Sequence, residues 1–326
     1  MSVKAVRFHE HGAAEVMAVE EVPTPSPGPG DLRLRIEAVG ISYGDVLRRR
    51  GGHYPIPTPL PFTPGEAVAG KVDAVGDGVS QDWIGKRVYG RVHSGGYAEY
   101  GLGIAQQFLE LPDSVTSIDA VAVMSDGVTA ALILKWRGQL RAGESVFVPA
   151  AAGGLGNVAV QLAQLYGAGK VFGAASSPEK RAAVLEAGAD HAIDYTQPGW
   201  AKEVISLNGG VGIDLALEMT GGPIFYETIE VVRPGGRIIN YGNASDTDSP
   251  INPRQLLRKN LTLSGFMITG AYLEERMAAG LEVLDFLRDG RIKVAATCYP
   301  LADASKAHRA IEARSSTGRQ ILLPGA

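Results

Sequence analysis

The spacing of apolar side chains changes character part-way along the chain. Over the first 124 or so residues, apolar and polar positions alternate in short runs broken by glycine and proline. Leu32-Arg-Leu-Arg-Ile-Glu-Ala-Val39 has the two-residue period of a strand with one buried face. Ala67–Val75 and Lys86–Val92, rich in Val, Ala and Tyr, read as further strands with glycine turns between them. The proline-rich Val22–Gly30 predicts a stiff surface connector. A compact β-rich domain is the expectation for this part.

From Ser145 the pattern switches between short, wholly apolar runs and helical periodicity. Strands are predicted at Ser145–Pro149, Lys170–Ala174, Ala192–Asp194, Ile213–Glu218, Arg237–Tyr241 and Leu261–Gly265. Between them fall helices at Asn157–Tyr166, Pro178–Ala187, from Trp200, at Phe225–Val232 and at Pro253–Lys259. Strands separated by helices are joined by crossovers, so the sheet should be parallel and covered on both faces. Six such strands fit the two βαβαβ halves of a doubly wound dinucleotide fold. Tyr272–Arg288 reads as an amphipathic helix, after which strand and helix mix again. The fold class is α/β.

Composition narrows the function classes. With 326 residues, 45% hydrophobic and 20% charged, the chain can bury a substantial core. A net charge of −4 without basic blocks offers nucleic acid no electrostatic footprint. No uninterrupted apolar stretch approaches the roughly 18 residues of a membrane span. The opening Met1-Ser-Val-Lys-Ala-Val-Arg-Phe8 has no apolar export signal. A soluble cytoplasmic protein acting on a small molecule, without nucleic acid or membrane partners, is expected. The single cysteine, Cys298, can form neither an intramolecular disulfide nor a Cys-rich zinc site, and is expected to be a small buried apolar residue.

The strongest chemical motif is Ala150-Ala-Ala-Gly-Gly-Leu-Gly156, between a predicted strand and helix. Ala151-x-Gly153-x-x-Gly156 is a dinucleotide fingerprint with alanine for its first glycine. Gly153 leaves room for a pyrophosphate, Gly156 lets helix and strand approach, and the helix start supplies N–H groups to the anion. Ala152, Gly153, Gly154, Leu155 and Gly156 are therefore cofactor-binding candidates. At the end of the second strand, where NAD sites carry an acid for the ribose hydroxyl, this chain has Ala174-Ala-Ser-Ser-Pro-Glu-Lys-Arg181. Ser176, Ser177 and Lys180 suit a 2′-phosphate, which selects NADPH; for Lys180 and Arg181 a solvated helix face is the alternative. Glu179 is expected to cap the helix, and Tyr195 is placed to close over the adenosine end.

These residues, with Gly65-Glu66, Asp126-Gly-Val-Thr-Ala130 and Tyr241-Gly-Asn-Ala-Ser245, resemble the medium-chain dehydrogenase/reductase superfamily over nearly the whole chain. More narrowly, the chain resembles its zinc-free quinone oxidoreductase (zeta-crystallin-like) branch. The resemblance implies a GroES-like catalytic domain from residues 1–124 and 266–326, interrupted by a Rossmann NADP(H)-binding domain over 125–265. It also implies cofactor roles for Thr129, beside the nicotinamide, for Tyr241, Gly242 and Asn243 after the fifth strand, and for Arg319. Pairing of Leu261–Phe266 across a two-fold axis, giving a homodimer, is implied as well.

Zinc enzymes of that superfamily carry ligands where this chain has Ser42, Gly65 and Ser125, and hydroxyls and a glycine cannot replace thiolate and imidazole. Without a Lewis acid, an isolated carbonyl is a poor acceptor, whereas a quinone or enone spreads the incoming charge over its own conjugated system. NADPH-dependent reduction of a quinone is the leading expectation. An alkenal, enone or enoyl reductase, and an NADPH-binding protein with little turnover, are the rivals. Ser42, Tyr43 and Tyr54 are the candidate donors to the acceptor oxygen, Tyr54 serving equally well as a pocket wall. His9, His11 and His308 are expected at the surface, while His53 and His93 lack partners at triad spacing. Arg48-Arg-Arg50 is expected to be a solvated face, with attraction of an acidic substrate tail as the alternative.

Overall fold

The computed structural model describes residues 2–51, 54, 56–245, 247–313 and 317–325. Two compact units emerge, Met1–Ser125 with Gly280–Ala326, and Asp126–Ala279.

In the first unit, β1 (Ser2–Arg7) and β2 (Ala18–Pro23) form an antiparallel pair. Next come β3 (Asp31–Gly40), α1 (Tyr43–Arg50), β4 (Ala67–Val75), β5 (Arg87–Arg91), β6 (Tyr100–Ile104) and β7 (Phe108–Glu110). Along β3 the predicted alternation is realised: Leu32, Leu34 and Ile36 are buried while Arg33 and Arg35 are not. These three pack with Val68, Val72, Val88 and Phe108 from neighbouring strands into one core. Truncating such a residue to alanine costs about 2–5 kcal/mol.

Helix α2 (Ser117–Ala131) runs on through a π-helical segment at Leu132–Arg137. Within those 21 residues an 18-residue window has a mean hydropathy of 1.6, long and apolar enough by composition to cross a membrane. The segment is instead a core helix, 67% of its apolar window being buried.

The second unit alternates β8 (Ser145–Val148), α3 (Gly154–Leu165), β9 (Lys170–Ala174), α4 (Pro178–Glu186), β10 (His191–Ile193) and α5 (Trp200–Leu207). Its second half is β11 (Ile213–Glu218), α6 (Gly222–Val231), β12 (Val232–Asn240), α7 (Pro253–Lys259) and β13 (Thr262–Gly265), followed by α8 (Leu273–Arg288). The six strands are parallel, in the order β10-β9-β8-β11-β12-β13. The order reverses between β8 and β11, the switch point of a doubly wound sheet, where ligands bind beyond the carboxyl ends of the strands. All four residues of β8 are buried, as coverage on both faces requires. Phe147 of β8 stacks on Trp200 of α5 at 5.1 Å, adding about 0.5–1.5 kcal/mol beyond area burial.

The chain then returns to the first unit with β14 (Ala296–Pro300), α9 (Ala304–Glu312) and β15 (Arg319–Leu323). β15 pairs with β3, completing a seven-stranded sheet ordered β14-β15-β3-β4-β5-β7, with β6 also on β3.

Three surface and core assignments are corrected by this arrangement. Cys298 is exposed, because β14 is the outermost strand of its sheet. His308 on α9 is fully buried, its Nε2 2.9 Å from the Tyr97 hydroxyl. Arg48 and Arg49 are no solvated face: Arg48 pairs with Glu66 at 2.9 Å and Arg49 with Glu312 at 2.6 Å, both arginines being buried. Only Arg50 of that triplet is exposed.

Candidate functional site

In the second unit the candidate residues gather at the carboxyl ends of the strands. Beyond β8, Ala150 adopts a left-handed φ of 49°, a conformation alanine holds only where its surroundings impose it. The Gly153 N–H donates to the Ala150 carbonyl, and the Ala151 N–H to that of Ala174 at the end of β9, fixing the turn. Gly153 then caps α3 without any side-chain hydrogen bond, and no acid lies in the first helical turn. A Cβ on Gly156 would stand 2.6 Å from the Ala150 oxygen and 2.7 Å from Ala151 Cα, so only glycine allows this approach. Gly154, Leu155 and Gly156 thus open a helix whose first N–H groups and positive dipole end are left to an outside anion. The donor set fits a dinucleotide pyrophosphate.

After β9, Ser176 is exposed, while Ser177 accepts from the Lys180 N–H at 3.3 Å and caps α4, with Pro178 following. Glu179 is exposed; bonds from its own amide and from Ser177 hold its carboxyl below the ordinary range. Lys180 is half-buried, and Arg181 pairs with Asp194 at 2.8 Å. Tyr195, half-buried, packs against the Phe147–Trp200 core. Thr129 is half-buried on α2, one turn beyond Asp126.

After β12, the segment Tyr241–Ser245 hangs on the end of β11. The N–H groups of Tyr241, Ala244 and Ser245 donate to the carbonyls of Glu218, Met219 and Thr220, each at 2.8 Å. Gly242 lies 3.2 Å, measured from a Cβ built on it, from Met219. Asn243 is exposed, donating to the Thr247 carbonyl at 3.1 Å and accepting from Ser245 at 3.0 Å. The Tyr241 hydroxyl is pushed far up by burial and by the charges of Glu218 and Asp126, so it stays protonated.

Sequence reasoning missed Glu218. It ends β11 fully buried, accepting from Thr220 N–H at 2.5 Å, Gly221 N–H at 2.8 Å and the Thr228 hydroxyl at 3.1 Å. Burial raises its carboxyl against those three hydrogen bonds. A lone acid closing the apolar run Leu215-Ala-Leu-Glu218, just before Met-Thr-Gly-Gly222, was the available signal.

In the first unit, Ser42 and Asp45 close the start of α1 upon themselves. Ser42 N–H and hydroxyl donate to Asp45 Oδ2 at 2.8 and 2.7 Å, and Asp45 N–H donates back to Ser42 Oγ at 3.1 Å. The other oxygen of Asp45 accepts from the Gly65 N–H at 2.9 Å. Ser42 therefore has its hydroxyl hydrogen directed at Asp45, which leaves Tyr43 and Tyr54 as the stronger donor candidates. Tyr54 is half-buried against Gly44, whose Cβ would lie 3.2 Å from Tyr54 Cε2, with the Arg48 guanidinium 5.2 Å from its ring centre. A cavity of about 550 Å³ nearby is lined by Arg48, Phe62, Glu66, Arg91 and His93, with Glu66 bonded to both arginines.

Position 65 has a φ of 85°, and a Cβ there would lie 2.5 Å from Tyr97 Cδ1, so a ligand side chain would be both strained and obstructed. Ser125 lies 3.5 Å from the Tyr89 hydroxyl. Among the described residues no group of three or more His, Cys, Asp or Glu side chains could hold a metal ion. Arg319 begins β15 almost buried, its guanidinium 2.9 Å from where a Gly40 Cβ would be. His93 is exposed beside Asp31 at 3.1 Å, and His53 lies outside the described residues.

Similarity to known proteins extends over nearly the whole chain. Residues 28–114 match the alcohol dehydrogenase GroES-like domain, and residues 154–285 match the family described as zinc-binding dehydrogenase. A quinone oxidoreductase of Pseudomonas aeruginosa is 32% identical over 326 residues, covering 98% of this chain and 99% of the relative. The structure of Escherichia coli quinone oxidoreductase complexed with NADPH superposes with a TM-score of 0.93 at 29% identity, over 98% of this chain and 100% of that one. The mycobacterial protein Rv1454c complexed with NADPH gives 0.92 at 33% identity, over 98% and 100%.

Proposed function

Because the chain belongs to the quinone oxidoreductase branch of the medium-chain dehydrogenase/reductase superfamily, we propose that it reduces quinones with NADPH and without zinc. The carrying observation is the pair Ser42 and Gly65: both stand where a zinc enzyme has ligands, both bond to Asp45, and position 65 has no room for a side chain. A chain lacking Lewis-acid ligands suits acceptors that delocalise charge themselves.

The Rossmann unit is assigned the cofactor and the GroES-like unit the acceptor. Ala152–Gly156 would hold the pyrophosphate, Ser176, Ser177 and Lys180 the 2′-phosphate, and Tyr195 the adenosine. Thr129, Tyr241, Gly242 and Asn243 are proposed for the nicotinamide half, with Arg319 as a further cofactor contact. When bound, NADPH supplies a hydride from its nicotinamide. Tyr43 and Tyr54 are proposed to donate hydrogen bonds to the acceptor oxygen, with Ser42 holding Asp45 and α1 in place. A cytoplasmic homodimer is proposed; the outer position of β13 in its sheet, with Leu257 and Tyr272 each 75% exposed in the segments flanking it, supports that assembly.

Oxidation of NADPH by 1,4-benzoquinone or a naphthoquinone, followed at 340 nm on purified protein, tests the reading. Steady turnover, faster with NADPH than with NADH and with far less than one zinc per chain, is expected. Turnover of a 2-alkenal but no quinone would replace the acceptor class. Binding without turnover of either would leave an NADPH-binding protein.

A further inference from the structure

The conventional cofactor contacts leave one buried ionisable group at the mouth of the sheet without a task. Glu218 sits at the carboxyl end of β11, beside the switch point, and no part of its surface reaches solvent. A buried carboxylate is costly unless its oxygens are bonded, so its retention calls for a reason.

The partners supply one. One oxygen gathers the N–H groups of Thr220 and Gly221, and the other receives the Thr228 hydroxyl from α6. The segment so fixed contains two left-handed glycines, Gly221 with φ 75° and Gly222 with φ 58°. A Cβ on Gly221 would fall 2.0 Å from Asn243 Oδ1, so the side chain of Asn243 lies directly against the Gly221 backbone. The carbonyls of Glu218, Met219 and Thr220 then carry the N–H groups of Tyr241, Ala244 and Ser245. Each end of the Tyr241–Ser245 segment is thus tied to the turn that Glu218 holds.

We infer that Glu218 is a positioning residue for the cofactor: it sets the Met219–Gly222 turn, and through that turn the placement of Asn243 and the Tyr241–Ser245 segment against the nicotinamide half of NADPH. The inference rests on the reading of Asn243 as a cofactor contact. Glu218 itself touches neither cofactor nor substrate in this scheme.

Glutamine separates this role from a need for charge, because its amide oxygen can accept from both N–H groups while its NH2 faces the Thr228 hydroxyl. Titrating purified protein with NADPH, read by nicotinamide fluorescence, should give Glu218→Gln a dissociation constant within about twofold of wild type. Glu218→Ala, which strands two amide donors, should weaken NADPH about 10- to 30-fold. Amide exchange at Thr220 and Gly221 in the NADPH-free protein should speed up in Glu218→Ala and not in Glu218→Gln. If the alanine variant does not fold, Glu218→Asp, whose carboxylate is one methylene short of the turn, carries the test with a several-fold loss expected. Folded Ala or Asp variants that melt earlier yet bind NADPH as wild type does would overturn the inference and leave the functional reading standing. A wild-type protein that fails to bind NADPH would overturn both.

Discussion

Helices α1 and α3 each follow a core strand of their unit, and they begin in opposite ways. At α1, Ser42 and Asp45 satisfy one another and the Gly65 N–H, so the helix start is closed by its own side chains. At α3, Gly153 brings no side chain, and the glycines behind it hold the backbone close to the turn. Every helix leaves about four N–H groups without intrahelical partners, and the protein can fill them or leave them for a ligand. The difference teaches that the same local physics makes a structural joint in one unit and, in the proposed reading, an anion site in the other. What decides is whether the first turn carries an acceptor of its own.

The comparison can be broken most sharply at α3. Gly156→Val places carbon 2.6 Å from the Ala150 oxygen, so α3 must move off the turn. NADPH binding should fall about 100-fold or more, with stability lowered by about 1–3 kcal/mol, as equilibrium titration and urea unfolding would register.

On the other side, the closed unit carries a pH-sensitive partner to its buried network. Burial lowers His308 to about 4 from 6.5, so the folded state resists protonation. Its stabilising effect is complete above pH 6.5 and is lost as the pH falls toward 4, amounting to about 3 kcal/mol. Unfolding free energies measured across that range should show the slope in wild type and a much smaller one in His308→Gln.

Asp45→Ala should uncap α1 and strand the Gly65 N–H, lowering stability by about 2 kcal/mol while leaving the affinity for NADPH within about twofold. A large loss of NADPH affinity there would dissolve the contrast between the two helix starts. The smallest effect is expected at the adenosine end. Lys180→Ala should weaken NADPH about three- to tenfold and NADH hardly at all, and equal losses would remove Lys180 from the 2′-phosphate.

Much of the architecture was legible because it is written in short-range pattern. Ser145–Val148 reads as a strand buried on both faces since a parallel sheet under two helical layers tolerates no polar alternation. The glycine turn was legible because close backbone approach restricts which residue can stand at Gly156. Element starts were less so: α3 begins at Gly154, three residues before its apolar periodicity does, because the turn glycines themselves form its first turn. Ser42 was identified as a donor by its position, but its hydrogen bonding to Asp45 is a matter of geometry that spacing does not reveal.

The amino-acid order by itself determined the succession of strands and helices, the open helix start at Gly153, and the missing thiolate and imidazole at Ser42 and Gly65. These depend on neighbours within a few positions and on side-chain chemistry. Tertiary structure alone decided that Arg49 meets Glu312, 263 positions away, and that His308 lies under Tyr97, 211 positions away. It also decided that Cys298 faces outward and that Glu218 holds the turn beneath Asn243. Such pairings follow from which strands become central and which become edges, and periodicity along a chain carries no record of that choice.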